Sequence, residues 1–318
     1  MANHSSPPDG NMKGGAELAA QPGGVLQVPR HTERTMASRM IRSLRQRPIR
    51  ALGPIILSLI VLGALLAPVI SPHDANAASF ELRLKPPFWM EGGSTTHFLG
   101  TDQLGRDIWT RILYGARISL LIGLLAMLVA GPGGVFLGLI SGYQGGLVDT
   151  LIMRLADGQL AFPAILLAIT IIAVLGRSLV ILILVLGLTK WVVYTRVARA
   201  EVLRLKATDY VVASRAVGAS HARTLFRHIL PNLLTPVIVL ASFSVAEMIL
   251  AEASLSFLGL GVQPPTPSLG GMISDGRNYL ANAWWVATWP GLAVLITVLA
   301  INFMGDWLTE VLRPRSVL

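Results

Sequence analysis

The sequence predicts an all-α integral membrane protein with six transmembrane helices and with both termini in the cytoplasm. Of its 318 residues, 53% are hydrophobic and 14% are charged, and the mean hydropathy is +0.62. Soluble domains carry about 25% charged residues. The apolar residues form uncharged runs of the roughly 20 residues that a helix needs to cross a bilayer. Lys and Arg cluster in the segments that this topology assigns to the cytoplasm, in agreement with the positive-inside rule.

Residues 1–50 are rich in Gly, Pro and Ser and lack the compact apolar region of a signal peptide, so they predict a basic, largely disordered cytoplasmic arm. Residues 51–70 are uncharged and form the first predicted transmembrane helix. Residues 71–117 then carry mixed charges and are predicted to be a loop on the outer side of the membrane. Five arginines that precede the first helix hold the N-terminus inside: Arg39, Arg42, Arg45, Arg47 and Arg50.

The remaining core, residues 118–312, is predicted to contain five transmembrane helices. The first covers 118–148, where the sequence GPGG at 131–134 predicts a bend or an end. Residues 158–199 would span roughly 63 Å as one helix, so they are predicted to form two helices joined by a turn at 175–178. The last two helices cover about 232–259 and 284–302, and residues 313–318 form a cytoplasmic tail.

The loop at 200–231 is polar and basic, although it lies between two apolar spans. Thr208 or Asp209 is expected to cap a short helix that ends at Gly218 in the left-handed conformation. Ser220 is expected to cap a second short helix, which Pro231 joins to the fifth span. Helices of this length are marginal in water, so they need an external surface. Anionic lipid headgroups and another protein remain equally good candidates from the residues alone.

Motifs in this loop resemble the cytoplasmic loop of ABC importer permeases. The stretch DYVVASRAVGASHARTLFRHILPN, residues 209–232, has that family's Gly and Leu-Pro spacing, although the family's Glu-Ala-Ala appears here as Val212, Ala213 and Ser214. The resemblance implies a type I ABC importer permease fold, in which loop 200–231 contacts an ATPase subunit. The residues expected in that contact are Asp209, Ala213, Ser214, Arg215, Gly218, Ala219, Ser220, Arg223, Arg227, Leu230 and Pro231.

Three further motifs narrow the resemblance to dipeptide and oligopeptide permeases. They are HFLGTDQLGRDIWTRILYGARISL at 97–120, MRLADGQLAFP at 153–163 and EASLSFLGLGVQPPTPSLGGMISDGR at 252–277. The stretch at 85–100 favours the C-type subunit. The family then implies import of di- or oligopeptides across the bacterial inner membrane by alternating access. Nickel chelates, haem and opines are the alternative substrates within the same family.

The resemblance also implies which molecules work with this chain. They are a homologous second permease, two ATPase subunits that bind ATP and Mg²⁺, a periplasmic or lipoprotein substrate-binding protein, and membrane lipid, with no nucleic acid. The chain itself lacks the G-x-x-x-x-G-K-[ST] phosphate loop, so ATP hydrolysis is assigned to the partner subunits and no cofactor is expected here.

Other function classes find little support in the residues. All six histidines lie outside the predicted spans, and no H-E-x-x-H pair occurs. No catalytic residue and no metal site is therefore expected. A membrane receptor or scaffold without transport, and an intramembrane enzyme, remain as alternatives of a different class.

Charged residues near the spans have two interpretations each. Glu247 and Glu252 are not expected to face lipid. Glu247 either lines a translocation path or bonds to a neighbouring helix, and Glu252 either lines that path or lies near the outer membrane boundary. Arg154 and Asp157 are three residues apart, within reach of each other on a helix, and form either a gate or a structural pair. Three outer-loop residues are expected to brace the start of the second span: Asp102, Arg106 and Asp107.

Overall fold

The computed structural model describes residues 48–312, and within this range no strand forms beyond one isolated bridge between Thr101 and Asp107. The predicted arm and tail, and with them the two termini, lie outside the described residues except for the start of the first helix. The helices are α1 (Pro48–Leu65), α2 (Ala67–Ile70), α3 (Ile108–Gln144), α4 (Gly146–Leu160), α5 (Ala164–Leu175), α6 (Leu179–Lys206), α7 (Asp209–Ala216), α8 (His221–Phe257), α9 (Leu269–Gly276) and α10 (Trp285–Leu312). The all-α prediction is confirmed.

Four of these helices, α3, α6, α8 and α10, are long and apolar enough to cross a membrane. The apolar part of α1 is shorter, at Leu52–Leu65. Helices α4 and α5 satisfy the same test only as a pair, with an angle of 85° between them. The sequence placed a single helix here, and Pro163 explains the difference, because proline disfavours helical backbone in the residue before it. The count of six spans stays a prediction.

The helix in the region of the second predicted span, 118–148, begins earlier than expected and does not end at the GPGG sequence. Helix α3 begins at Ile108, inside the segment predicted as a loop, and continues without a break through Gly131, Pro132 and Gly134. These residues bring α3 against α6 instead of ending it. A Cβ atom at Gly138 would lie 2.4 Å from the carbonyl oxygen of Thr195. Membrane helices use small residues for such close backbone contacts.

The core lies where α3, α6 and α8 meet. Ile122 and Ala126 of α3 pack with Leu182 and Leu186 of α6 and with Met248 of α8, and all five are buried. The predicted turn between the third and fourth spans is observed: Gly176 has φ +97°, and the Ser178 side chain caps α6. The hydroxyl of Thr195 donates to the Gly134 carbonyl at 3.0 Å. Helices α3 and α6, which make this contact, also position loop 200–231 and the charged residues of the spans.

Candidate functional site

Loop 200–231 contains the backbone geometry that the sequence predicts around Gly218. The backbone amide of Ala219 donates to the Ser214 carbonyl at 3.1 Å, and that of Gly218 donates to the Arg215 carbonyl at 2.9 Å. These two bonds form a Schellman motif, which requires a left-handed residue after the helix. Gly218 supplies it, with φ +91°. Helix α7 therefore ends at the glycine because of local backbone chemistry.

The second half of the loop differs from the prediction. The Ser220 side chain accepts a hydrogen bond from the Arg223 amide at 3.3 Å, as a helix cap does. The helix that it begins does not stop before the fifth span, however, and runs continuously as α8 to Phe257. Residues Thr224–Ile229 form a π-helical turn directly before Pro231. Proline has no backbone N–H to donate to the helix, and a π turn changes the pattern of backbone hydrogen bonds at this point. Pro231 therefore remains inside the helix.

The end of α3 holds the loop in place through residues that the sequence analysis did not single out. The hydroxyl of Tyr143 is hydrogen-bonded to His221 Nδ1 at 2.9 Å. Lys206 Nζ donates to the Tyr143 carbonyl at 2.9 Å, and Val211 of α7 is fully buried. These partners are distant in sequence, so no local pattern indicates them. The two hydrogen bonds attach Lys206 and His221, which lie on either side of α7 in the chain, to the end of α3.

The exposed surface of loop 200–231 combines arginines with apolar side chains. Of the residues expected in the ATPase contact, Ser214, Ala219 and Leu230 are half-buried and the rest are exposed. Two apolar neighbours, Val217 and Phe226, are 89% and 62% exposed. Arginine and aromatic residues are enriched at protein interfaces. The structure thus places the predicted residues together on an accessible surface.

Glu247 of α8 forms an ion pair with Lys190 of α6, with 2.5 Å between Oε2 and Nζ. The Glu247 side chain is 58% exposed and that of Lys190 is 28% exposed. Both residues lie in helices that are long and apolar enough to span a membrane. A charged side chain at the centre of a bilayer costs about 2.5–3.5 kcal/mol on insertion scales. Contact of this exposed ion pair with lipid near the middle of a span would therefore be unfavourable.

Glu252 has a different environment, and it does not lie on an accessible surface. Its side chain is fully buried between α8 and α3. The hydroxyls of Ser119 and Ser256 donate to its two carboxylate oxygens at 3.1 and 2.6 Å. Of the two interpretations of Glu252, lining of a path does not fit this burial, because the residue connects two helices inside the protein.

The expected pair between Arg154 and Asp157 is also corrected. Within residues 48–312, Asp157 pairs with Arg196 of α6 at 2.6 Å instead of with its neighbour on α4. About two turns before Asp157 on α4, the carboxylate of Asp149 accepts two hydrogen bonds from Arg199, at 2.5 and 2.6 Å. Both acidic residues thus attach α4 to α6. Arg154 is exposed.

The outer segment confirms the expected bracing. Asp102 pairs with Arg106 at 2.6 Å, and Asp107 caps α3 by accepting from the Thr110 amide at 2.8 Å. His73, His97 and Asp107 place possible metal ligands within 4.8 Å of one another. Asp107 already accepts from His97 at 3.0 Å and from the Thr110 amide, and His73 Nε2 is bonded to the Thr96 carbonyl at 2.8 Å, so all three residues have partners within the protein.

Known proteins match most of this chain. Residues 134–317 match the family described as binding-protein-dependent transport system inner membrane component, and residues 35–87 match the N-terminal transmembrane domain of oligopeptide transport permease C. The di/tripeptide transport system permease protein DppC of Pseudomonas aeruginosa is 45% identical over 263 residues, covering 83% of this chain and 87% of the relative. The dipeptide transport system permease protein DppC of Escherichia coli is 46% identical over 263 residues, with 83% and 88% covered.

A solved structure supports the fold. The MetNI methionine ABC transporter in an inward-facing conformation aligns with a TM-score of 0.55 and 18% identity, over 65% of this chain and 98% of that chain. The predicted type I ABC importer permease fold and the family resemblance are both confirmed. With its apolar helices and these bacterial relatives, this multi-pass inner-membrane chain belongs to the family of inner membrane components of binding-protein-dependent transport systems.

Proposed function

We propose that this chain is the translocating permease subunit of an ATP-driven importer of di- and oligopeptides. The observation that carries the proposal is the continuity of loop 200–231 with a membrane-spanning helix. Two of its exposed arginines, Arg223 and Arg227, lie on the same helix, α8, as Glu247. A force applied at Arg223 or Arg227 would therefore be transmitted to the middle of the span along one continuous helix. Relatives named as dipeptide permeases support the choice of substrate.

The proposed mechanism is alternating access. Two ATPase subunits bind ATP and Mg²⁺ on the cytoplasmic side and close around the nucleotide. Their surface moves loop 200–231, which is held to α3 by Tyr143 and His221, and α8 moves with it as a rigid element. The ion pairs between α4 and α6 keep the broken span attached during this movement. Hydrolysis belongs to the ATPase subunits, and this chain has no part in that chemistry.

Further partners complete the proposed assembly. A homologous second permease covers the face that carries Glu247, and the translocation path runs between the two chains. A periplasmic or lipoprotein substrate-binding protein delivers the peptide on the outer side. Glu247 lies on the path because its side chain is exposed at a depth where lipid contact is unfavourable.

Reconstitution tests the function directly. The complete importer is placed in proteoliposomes with its binding protein, with ATP and Mg²⁺ on the side of the ATPase subunits, and uptake of a radiolabelled dipeptide is measured. We expect accumulation that requires hydrolysable ATP. Absence of ATP-dependent uptake from an intact complex would refute the proposal.

A single-cysteine variant tests the contact with the ATPase. The chain contains no cysteine, so Ala213→Cys introduces a unique thiol into an exposed position of α7. We expect it to crosslink to an ATPase subunit and to be labelled only from the cytoplasmic side. Labelling from outside the cell alone would contradict the assigned sidedness.

A further inference from the structure

Two features of the membrane-spanning bundle, the Lys190–Glu247 ion pair and the break between α4 and α5, lie at a similar depth. Glu247 lies about 15 Å along α8 from its end at Phe257, and Lys190 lies about 17 Å along α6 from its start at Leu179, at about 1.5 Å per residue. Both distances are close to half of the roughly 30 Å hydrocarbon thickness. With the ends of α8 and α6 at Phe257 and Leu179 taken as the outer membrane boundary, the ion pair lies near the middle of the membrane.

The break between α4 and α5 is the second feature. Helix α5 extends about 18 Å from the turn at Gly176 back to this break. Gln159, at the end of α4, donates through Nε2 to the carbonyls of Leu188 and Thr189 at 3.1 and 3.0 Å. These two residues directly precede Lys190. The non-helical backbone at 161–163 is thus close to the ion pair, and it is exposed on this chain.

Neither feature is compatible with lipid. Exposed irregular backbone is tolerated at membrane depth only where protein covers it or where it lines a water-filled cavity. Exposed charges at the same depth have the same requirement. More than half of the Glu247 side chain is exposed. Each residue of the ion pair therefore has room to give up its partner and to bind a charged group of a passing ligand.

We propose that Lys190 and Glu247, beside the α4–α5 break, line the water-filled substrate path and select the charge of the peptide that passes. The inference rests on the proposed function. A peptide ammonium group bonds to the Glu247 carboxylate, and a peptide carboxylate bonds to the Lys190 ammonium. The path therefore favours peptides that carry both a free ammonium group and a free carboxylate group. Because the charges of Lys190 and Glu247 cancel, the intact pair adds no preference between acidic and basic peptide side chains.

Opposite single substitutions test this selection. Lys190→Gln leaves Glu247 without a counter-charge, so uptake of a lysine-containing dipeptide should rise relative to that of a glutamate-containing dipeptide. Glu247→Gln should shift the same ratio in the other direction. Each shift should be about fivefold, because a unit charge acts over a few ångströms in a partly screened site. The binding protein is unchanged, so its own preference cancels when each variant is compared with the parent importer.

Controls separate this role from a structural one. Glu91→Gln removes an exposed carboxylate from the outer segment and should leave the ratio unchanged. Copurification of each variant with the second permease and the ATPase subunits establishes assembly. Equal losses of both peptides, or unchanged ratios, in assembled Lys190→Gln and Glu247→Gln importers would overturn the charge selection.

Accessibility of the position is a second measurement. Glu247→Cys should react with a membrane-impermeant, water-soluble thiol reagent in the assembled importer. If the thiol is unreactive in every nucleotide state and crosslinks to the second permease, the face is a dry subunit contact and the inference is wrong. ATP-driven uptake by the parent importer is measured in parallel, so failure of the charge selection is distinguishable from failure of the proposed function.

Discussion

Substitution of Gly218 by residues of increasing size tests whether a partner protein contacts the loop. Gly218 has φ +91°, a conformation that costs an L-residue roughly 1–2 kcal/mol. No atom of the described chain outside its immediate neighbours lies within 4 Å of a Cβ atom added there. Ala, Leu and Trp at this position should therefore strain the isolated chain by the same amount. That strain corresponds to about a tenfold decrease in the population of the capped loop. Any further effect of size must come from another molecule.

The assay has two parts. Thermal unfolding of the isolated chain in detergent should show the same loss of stability for Gly218→Ala, Gly218→Leu and Gly218→Trp. In proteoliposomes, the number of peptides taken up per ATP hydrolysed should fall progressively from Ala to Trp, because the larger side chains separate the loop from the ATPase surface.

Gly176→Leu is the matched control. Gly176 has φ +97° and, among residues 48–312, equally empty surroundings, but it lies at the opposite end of α6. It should lose similar stability and retain coupled transport. If Gly218→Trp imports as many peptides per ATP as Gly218→Ala, no partner surface lies against this glycine and the coupling argument fails.

The remaining predictions concern stability, measured as thermal unfolding of the chain in detergent. Gly138→Val should destabilise by about 1–3 kcal/mol because its Cβ meets the backbone of α6. Gly133→Ala on the same helix, whose Cβ would meet no described atom within 4 Å, should not, and equal effects would contradict the packing argument. Glu252→Ala should cost about 1–3 kcal/mol by leaving two buried hydroxyls without an acceptor, and an unchanged melting temperature would refute that role. Asp107→Ala should cost about 0.5–2 kcal/mol through loss of the α3 cap, whereas Asp107→Asn, which retains an acceptor, should cost less.

Several features of the site could be read from local sequence because local chemistry produces them. Gly218 ends α7 since only glycine enters that backbone region without strain. Ser220 and Ser178 cap helices through their own hydroxyls. Each of these interactions involves residues within a few positions of one another, so the sequence contains both partners side by side.

Other features could not be read in this way, because their partners are distant in the chain. Pro132 and its flanking glycines look like a helix end, yet α3 continues because a second helix packs against them. Asp157 has a possible partner three residues away but bonds to Arg196 across the bundle. Glu252 lies near the outer membrane boundary by sequence position. In the structure it is buried and accepts hydrogen bonds from two serines, one on α3 and one on α8.

The sequence by itself determined that this is a basic, multi-helical membrane protein whose polar loop follows the fourth predicted span. Hydropathy and charge act on each segment separately, so they need no knowledge of the fold. The tertiary structure alone decided which charges are buried, which are paired and which remain open, as Glu252 and Glu247 illustrate on one helix. Five residues separate them along α8, and opposite faces of a helix meet different neighbours.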